Sequence, residues 1–274
     1  MAFKATPRAA EMTAALNDWQ VTILGENGLR LTGPTSFHLD EGPDFAWLNI
    51  YRALADGCEL AVVRGELGTT ACIDDDVVVS WPANEKVDAE LSARYHVDEA
   101  SSTVDVTFSA TANKDFTAFE LFIANYFTPY FSPSFAINDG RAHPEGDVVW
   151  YTTEWNSALN DECWPRDAGV RPVFTDGRWA DGYPLNWKFG PDYSLPLMIQ
   201  QHRYAGMSIF LMARPEDCIG LSGYNSYHNS QYFHLFGFDL AAGATASTTV
   251  RMVVAASGDD VKAQAVVAYK DWTA

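Results

Sequence analysis

The chain reads as a mainly β protein, a large antiparallel two-sheet β-sandwich with few short helices, one of them at the C-terminus. Three observations carry that expectation. Most apolar residues fall in short runs that alternate with polar ones, the period-two pattern of a half-buried strand. The runs recur at short spacing, each bounded by Gly, Pro, Asp or Asn, as strands joined by tight turns require. At 274 residues, 47% hydrophobic and 14% aromatic, the chain can bury a sizeable core. With no linker or low-complexity tract it reads as one domain over 1–274.

The first segment, Pro7 to Leu16, spaces small apolar residues as a helix does. Strand signals follow at Trp19–Leu24, Thr35–His38, Phe45–Arg52, Glu59–Glu66, Thr70–Ile73, Val77–Trp81, Ala89–Val97 and Thr103–Ala110. Thr117–Phe127, "TAFELFIANYF", is rich in the aromatic and branched residues of a sandwich strand. Thr128–Asp139 contains Pro129 and Pro133 and reads as turns along an exposed rim. Gly140–Asp192 sets Trp150, Trp155, Trp164, Trp179 and Trp187 among Gly, Pro and charged residues. So long an irregular stretch in a compact domain commonly supplies binding loops. Strands resume at Pro196–His202, Gly206–Ala213, Cys218–Tyr224, Gln231–Leu240 and Ala246–Ala255. Asp259–Trp272 closes the chain as a helix, with Asp259 as cap and Val261, Ala265, Ala268 and Trp272 on one face.

Acidic residues outnumber basic ones by 36 to 18, for a net charge of −18. That field repels polyanions, which argues against nucleic acid and anionic membranes as partners and suits a neutral or cationic small molecule or oligosaccharide. No run approaches the roughly 20 apolar residues of a membrane span, and no apolar leader precedes a cleavage site, so a soluble, cytoplasmic chain is expected. Cys58, Cys72, Cys163 and Cys218 form no CxxC pair, against structural zinc. They read as isolated thiols, with a Cys58–Cys72 disulfide left open for an exported chain.

"SYHNSQYFHLFGFDL", Ser226 to Leu240, places His228 in a polar loop and His234 in a strand. Period-two alternation sets Tyr232, His234, Phe236 and Phe238 on one strand face, so His234 reads as a packed sheet residue. His228, beside Tyr224, Asn225 and Tyr227, is the candidate for chemistry. His202, flanked by Arg203 and Tyr204 at a strand end, is a second acid-base candidate. "YTTEWNSALNDECWPRD" gathers Glu154, Trp155, Asn156, Asp161, Glu162, Trp164, Arg166 and Asp167. Indole rings pack on the C–H face of a pyranose while carboxylates and amides bind its hydroxyls. Glu154 or Asp167 would serve as a general base paired with a histidine or tyrosine acid. His38 and Asp40 have HxD spacing and would need His96, His143 or His202 to hold iron. The acidic turns Asp74–Asp76 and His143–Asp147 lack calcium-loop spacing. GxSxG, Walker, HExxH and GxGxxG motifs are absent from the sequence, against serine hydrolase, phosphoryl-transfer, zincin and dinucleotide chemistry.

"YFHLFGFDLAAGATASTTVRMVV", Tyr232 to Val254, resembles the closing hairpin of the galactose-mutarotase-like superfamily, whose members often run on into a terminal helix. The resemblance implies a supersandwich and a carbohydrate context of epimerases, lyases and glycoside-processing domains. Aldose epimerases carry a stretch like "NHxYFNLxG" whose His protonates the ring oxygen. "HNSQYFHLFG" keeps Tyr232, Phe233, Leu235 and Gly237, but places Ser230 where that His stands.

The expected function is therefore acid-base proton transfer on a sugar, as an epimerase, isomerase or β-eliminating lyase. His202 and His228 are the expected pair, Glu154 the alternative base, Trp155 and Trp164 the stacking platforms, and Tyr227, Arg166 and Asp167 the polar contacts. No cofactor is called for, and a divalent metal stays open. A non-catalytic carbohydrate-binding protein is the alternative.

Overall fold

The computed structural model describes residues 2–6, 9–16, 19–23, 28–32, 45–66, 68–144, 147–153, 161–180, 182, 184–225 and 229–274. The strands run β1 (Ala2–Thr6), β2 (Ala9–Leu16), β3 (Trp19–Ile23), β4 (Leu29–Thr32), β5 (Phe45–Ala55), β6 (Cys58–Ala61), β7 (Thr69–Ile73), β8 (Asp76–Trp81), β9 (Ala89–Asp98) and β10 (Thr103–Ala112). They continue as β11 (Phe116–Phe127), β12 (Phe131–Ile137), β13 (Val149–Thr152), β14 (Glu162–Pro165), β15 (Lys188–Phe189), β16 (Tyr193–His202), β17 (Met207–Met212), β18 (Cys218–Asn225), β19 (Asn229–Leu240) and β20 (Thr245–Ala256). Two α-helices, α1 (Arg171–Phe174) and α2 (Val261–Thr273), and a 3-10 turn at Val63–Gly65 complete the described elements.

An 11-stranded sheet has the order β1-β2-β3-β4-β5-β11-β19-β18-β14-β15, with β6 beside β5, and a 9-stranded sheet the order β13-β12-β16-β17-β20-β10-β9-β8-β7. Pairing is antiparallel except for the parallel β14 and β15. The main core lies between the sheets, where alternate residues of β9, β10 and β20 meet Ile123, Phe233 and Leu235 of the larger sheet. A second cluster covers the outward face of the larger sheet and a third sits under α2. The expected sandwich is thus present, and no described helix is long and apolar enough to cross a membrane.

Several local expectations are corrected. Ala9–Leu16 is a strand, because hydrogen bonds to β1 on one side and β3 on the other override its helical spacing. Thr128–Asp139 is no exposed rim: it contains β12, with Phe131 and Phe135 at 0% exposure. Pro133 is accommodated because the ladder with β13 begins only at Ser134, so its missing N–H breaks no bond there. The strand expected to reach Glu66 ends at Ala61, and Val63–Gly65 forms a 3-10 turn. Thr35–His38 lies outside the described residues. In α2, Val261 and Ala265 are buried as expected, joined by Val266 and Tyr269, while Asp260, not Asp259, occupies the cap position, its carboxylate accepting from Gln264 Nε2 at 2.7 Å rather than from the first N–H groups of the helix. All four cysteines are free, and Cys58 and Cys72 belong to different sheets.

One backbone feature steers β19. Phe236 and Gly237 both take positive φ, 75° and 72°, which turns Phe236 out of its alternation and into the core between the sheets. A Cβ at Gly237 would also run into the Ile219 side chain. Gly237→Ala is therefore expected to destabilise the fold by about 2–4 kcal/mol, from left-handed strain plus overpacking. Denaturant unfolding reads it, and an unchanged midpoint would exclude the conformational constraint.

Candidate functional site on the outward face of the larger sheet

Alternation along β19 assigns its residues to two environments. Phe233 and Leu235 face the smaller sheet, and Gln231 reaches across to the carbonyls of Ser134 and Ile199 through Nε2. Ser230, Tyr232 and His234 take the opposite parity, facing outward beside Tyr126, Ala124 and Phe122 of β11. Ser222 of β18 and Arg52 of β5 extend this face to either side.

The inner half of the face holds a buried polar chain. His234 Nδ1 lies 2.6 Å from Glu120 Oε1, and its Nε2 lies 2.8 Å from Ser222 Oγ. Arg178 Nη1 donates to Glu120 Oε2 at 3.0 Å and to the Ala118 carbonyl at 2.8 Å, while Nη2 pairs with Asp176 at 2.7 Å. Ser222, His234, Glu120 and Arg178 are all at 0% exposure. Phe174, Trp179 and Trp187 roof the imidazole at centroid distances of 4.8, 5.7 and 5.4 Å, and line a concavity of about 560 Å³ on their other side. Hydroxyl, imidazole and carboxylate follow the order of a nucleophilic triad. Sealed beneath aromatic rings, they instead clamp the roof segment to the sheet. His234 is thus the packed sheet residue that its alternation predicts.

The other half of the face is open. Arg52 pairs with Glu59 at 2.8 Å and packs over Tyr51 and Trp179. The Arg64 guanidinium sits 3.8 Å from the Tyr51 ring centre, and its Nη1 donates to Tyr126 Oη at 3.1 Å. Tyr232 stacks on Phe122 at 4.7 Å and meets Tyr126 edge-on at 6.1 Å. Tyr51, Glu59, Arg64, Tyr126 and Tyr224 are each partly exposed. Burial pushes the Tyr126 and Tyr232 phenols above their ordinary value, with Arg64 opposing the rise at Tyr126. This surface offers aromatic faces with a cation and a carboxylate beside them, the chemistry that hydroxylated rings bind.

Of the residues expected from sequence, Glu154, Trp155, Tyr227 and His228 lie outside the described residues. The strand ends flanking 33–44 and 226–228 are neighbours, Phe45 pairing with Phe127 and Phe127 with Asn229. Glu162, just after 154–160, pairs with Gly223 on the same side. His202 lies in the smaller sheet at 2% exposure, paired with Phe131. Its Nδ1 accepts the Tyr204 and Ala205 N–H groups at 3.2 and 2.9 Å, so the ring closes a turn.

Trp164 is no stacking platform: at 1% exposure it packs between the sheets, 4.2 Å from Phe135. Arg166 and Asp167 pair with each other at 2.9 Å; Arg166 also bonds the Glu216 carbonyl and Asp167 the Gly169 N–H. Both serve the turn after β14, and the Arg166 bond holds the Asp167 carboxyl below its usual range. His38 and Asp40 lie outside the described residues. His96 and His143 each meet one carboxylate, Asp76 and Asp139, at 2.7 Å. Among the described residues no cluster of three or more His, Cys, Asp or Glu is placed to hold a metal.

Sequence reasoning passed over Tyr51, Arg52, Glu59, Arg64, Glu120, Tyr126 and Arg178. Two signals were present, Arg52 and Glu120 inside otherwise apolar strands, since a charge at such a position requires a partner. The clamp generates a stability test. Arg178→Met leaves Glu120 buried and is expected to cost about 3–5 kcal/mol, most of it regained when Glu120→Gln is added. Denaturant unfolding of both single variants and the double reads the coupling; additive losses would remove the clamp.

No protein-family model matches the chain, and no curated protein matches it in sequence. Solved structures do match. A putative aldose 1-epimerase from Escherichia coli K12 is 9% identical with a TM-score of 0.52, over 90% of this chain and 99% of that one. Galactose 1-epimerase from Lactobacillus acidophilus NCFM is 12% identical with a TM-score of 0.50, over 91% and 95%. The α-N-acetylgalactosaminidase NagBb from Bifidobacterium bifidum is 10% identical with a TM-score of 0.58, over 95% of this chain and 38% of that one. The chain has the fold of the galactose-mutarotase-like β-sandwiches.

Proposed function

We propose that the chain acts on a neutral carbohydrate at the open half of the larger sheet's outward face, by general acid-base proton transfer of the kind that epimerases, isomerases and β-eliminating lyases use. One observation carries the proposal. Tyr51, Arg64 and Tyr126 form a partly exposed aromatic and polar surface over the buried Tyr232, on and beside β19, the strand whose sequence resembles the proton-donor stretch of aldose epimerases. Neighbours of the same fold named as aldose or galactose 1-epimerases support a sugar as the substrate class. In this proposal His228 takes part in the proton transfer, Glu154 is the alternative base, and Trp155 and Tyr227 contribute stacking and hydrogen bonds. In the chain, Tyr227 and His228 fall between β18 and β19, and Glu154 and Trp155 between β13 and β14. The net charge of −18 fits a neutral or cationic ligand better than an anionic one.

A second proposal, a carbohydrate-binding protein without turnover, is favoured by one specific observation: Ser230 stands where the resemblance puts the proton-donating histidine. A panel of neutral aldoses and glycosides, followed by NMR for interconversion and by calorimetry for binding, separates the two. The enzyme is expected to show turnover that His228→Ala lowers by about 10²–10⁴. Binding without turnover at any pH would establish the binder, and an unchanged rate in the variant would remove His228 from the chemistry.

A further inference from the structure

We propose that the concavity on the far side of the aromatic roof is a second sugar-binding subsite, taking one unit of a neutral oligosaccharide whose neighbouring units lie on the open half of the face. The inference rests on the carbohydrate function proposed above and extends its substrate class from a single sugar to an oligosaccharide.

The concavity measures about 560 Å³, within the roughly 300–1,000 Å³ of small-molecule sites. Phe174, Trp179, Trp187 and Phe189 form aromatic walls, and Leu185 adds an aliphatic one. The rings stand at steep angles to one another. Trp179 and Trp187 cross at 85° with centroids 5.2 Å apart, and Phe174 and Phe189 at 70° and 6.0 Å. Walls so inclined can bound a ring-shaped ligand on more than one side.

The lining chemistry selects the ligand. None of the described residues around the concavity is charged, and the net charge of −18 opposes an anion. Polar groups are few and lie among the aromatic ones. The exposed Asn186 amide offers a donor and an acceptor, and Thr175 Oγ1, which donates to the Arg171 and Pro172 carbonyls at 3.4 Å, keeps lone pairs for a hydroxyl. The Trp179 and Trp187 N–H groups are buried and have no acceptor within the protein. Donors left in that state are costly, and a sugar oxygen is an acceptor of the kind they lack. Aromatic faces for C–H packing with a few partners for hydroxyls fit a neutral pyranose.

The walls are set before any ligand arrives. Arg178, bonded to Glu120 and Asp176, fixes the chain beside Trp179. The Ala180 N–H donates to the Gly177 carbonyl at 2.9 Å and the Leu185 N–H to the Trp179 carbonyl at 3.0 Å. On either side of Phe189, the Lys188 and Gly190 N–H groups donate to the Asp161 and Cys163 carbonyls, each at 2.9 Å. A pre-formed site spends little binding energy on ordering itself. Trp179 also borders the open half: Arg52 packs on its ring at 5.5 Å and over Tyr51 at 5.0 Å. The concavity and the tyrosine patch are therefore neighbours, as adjoining units of one ligand require.

The test titrates the full chain with glucose, galactose and their neutral oligosaccharides of two to four units. Calorimetry reads affinity, and ¹H–¹⁵N NMR reads the indole N–H groups, assigned with Trp179→Phe and Trp187→Phe. At least one oligosaccharide is expected to bind about 10-fold or more tighter than its monosaccharide and to move both indole resonances. Ala180→Tyr, which fills the concavity from an exposed position, is expected to abolish that advantage with an unchanged unfolding midpoint. Should the midpoint fall, Asn186→Ala decides, since it removes a polar contact without touching the walls and is expected to reduce the same advantage. Oligosaccharides no tighter than monosaccharides overturn the subsite, as does an advantage that survives both variants. Indole resonances moved by benzyl alcohol but by no sugar also overturn it, in favour of an aryl site. Each of these results leaves the carbohydrate function standing where a monosaccharide binds or is turned over; no binding and no turnover of any sugar removes both.

Discussion

The buried pairing of Arg178 with Glu120 is the interaction on which the outward face depends. A guanidinium and a carboxylate, both at 0% exposure, are tolerated inside a protein only when nearly every polar atom has a partner. Glu120 is met by Arg178 on one oxygen and His234 on the other, and Arg178 adds Asp176 and a main-chain carbonyl. Because Arg178 sits on the segment between β14 and β15 while Glu120 sits on β11, this saturation fixes that segment onto the sheet. Phe174, Trp179 and Trp187 come with it and seal His234 and Ser222 from water.

That closure divides the face in two. At one end a saturated network offers nothing to a ligand. Toward Tyr126, a patch of tyrosines with Arg64 and Glu59 stays reachable. The division also explains why a residue set resembling a nucleophilic triad carries no such role. Orientation alone does not make a serine reactive; a substrate has to reach it, and here three aromatic rings intervene.

Much of the fold was legible in the sequence because β9, β10 and β20 bury alternate residues with little exception. The larger sheet was harder to read. β11 and β19 are covered on both faces over much of their length, so their alternation does not separate a polar side from an apolar one. The site was less legible still. Trp164 looked like a ligand platform because its neighbours are polar, yet strand parity turns it into the core against Phe135. His202 at a strand end looked available, and the turn at Tyr204 and Ala205 engages its ring. Arg64 and Tyr126, 62 positions apart, become partners only through the pairing of β5 with β11. No local motif announces such a pair.

The alternation of β19 has a consequence for how this chain can change over time. Asn229, Gln231, Phe233 and Leu235 answer to the inter-sheet packing, while Ser230, Tyr232 and His234 answer to the outward face, although the two sets interleave in one strand. Side chains on opposite faces of a sheet share few neighbours, so substitutions in one set combine with those in the other nearly independently. The strand is two records written on alternate positions. Drift at one parity can replace the chemistry of the surface while the other parity preserves the sandwich.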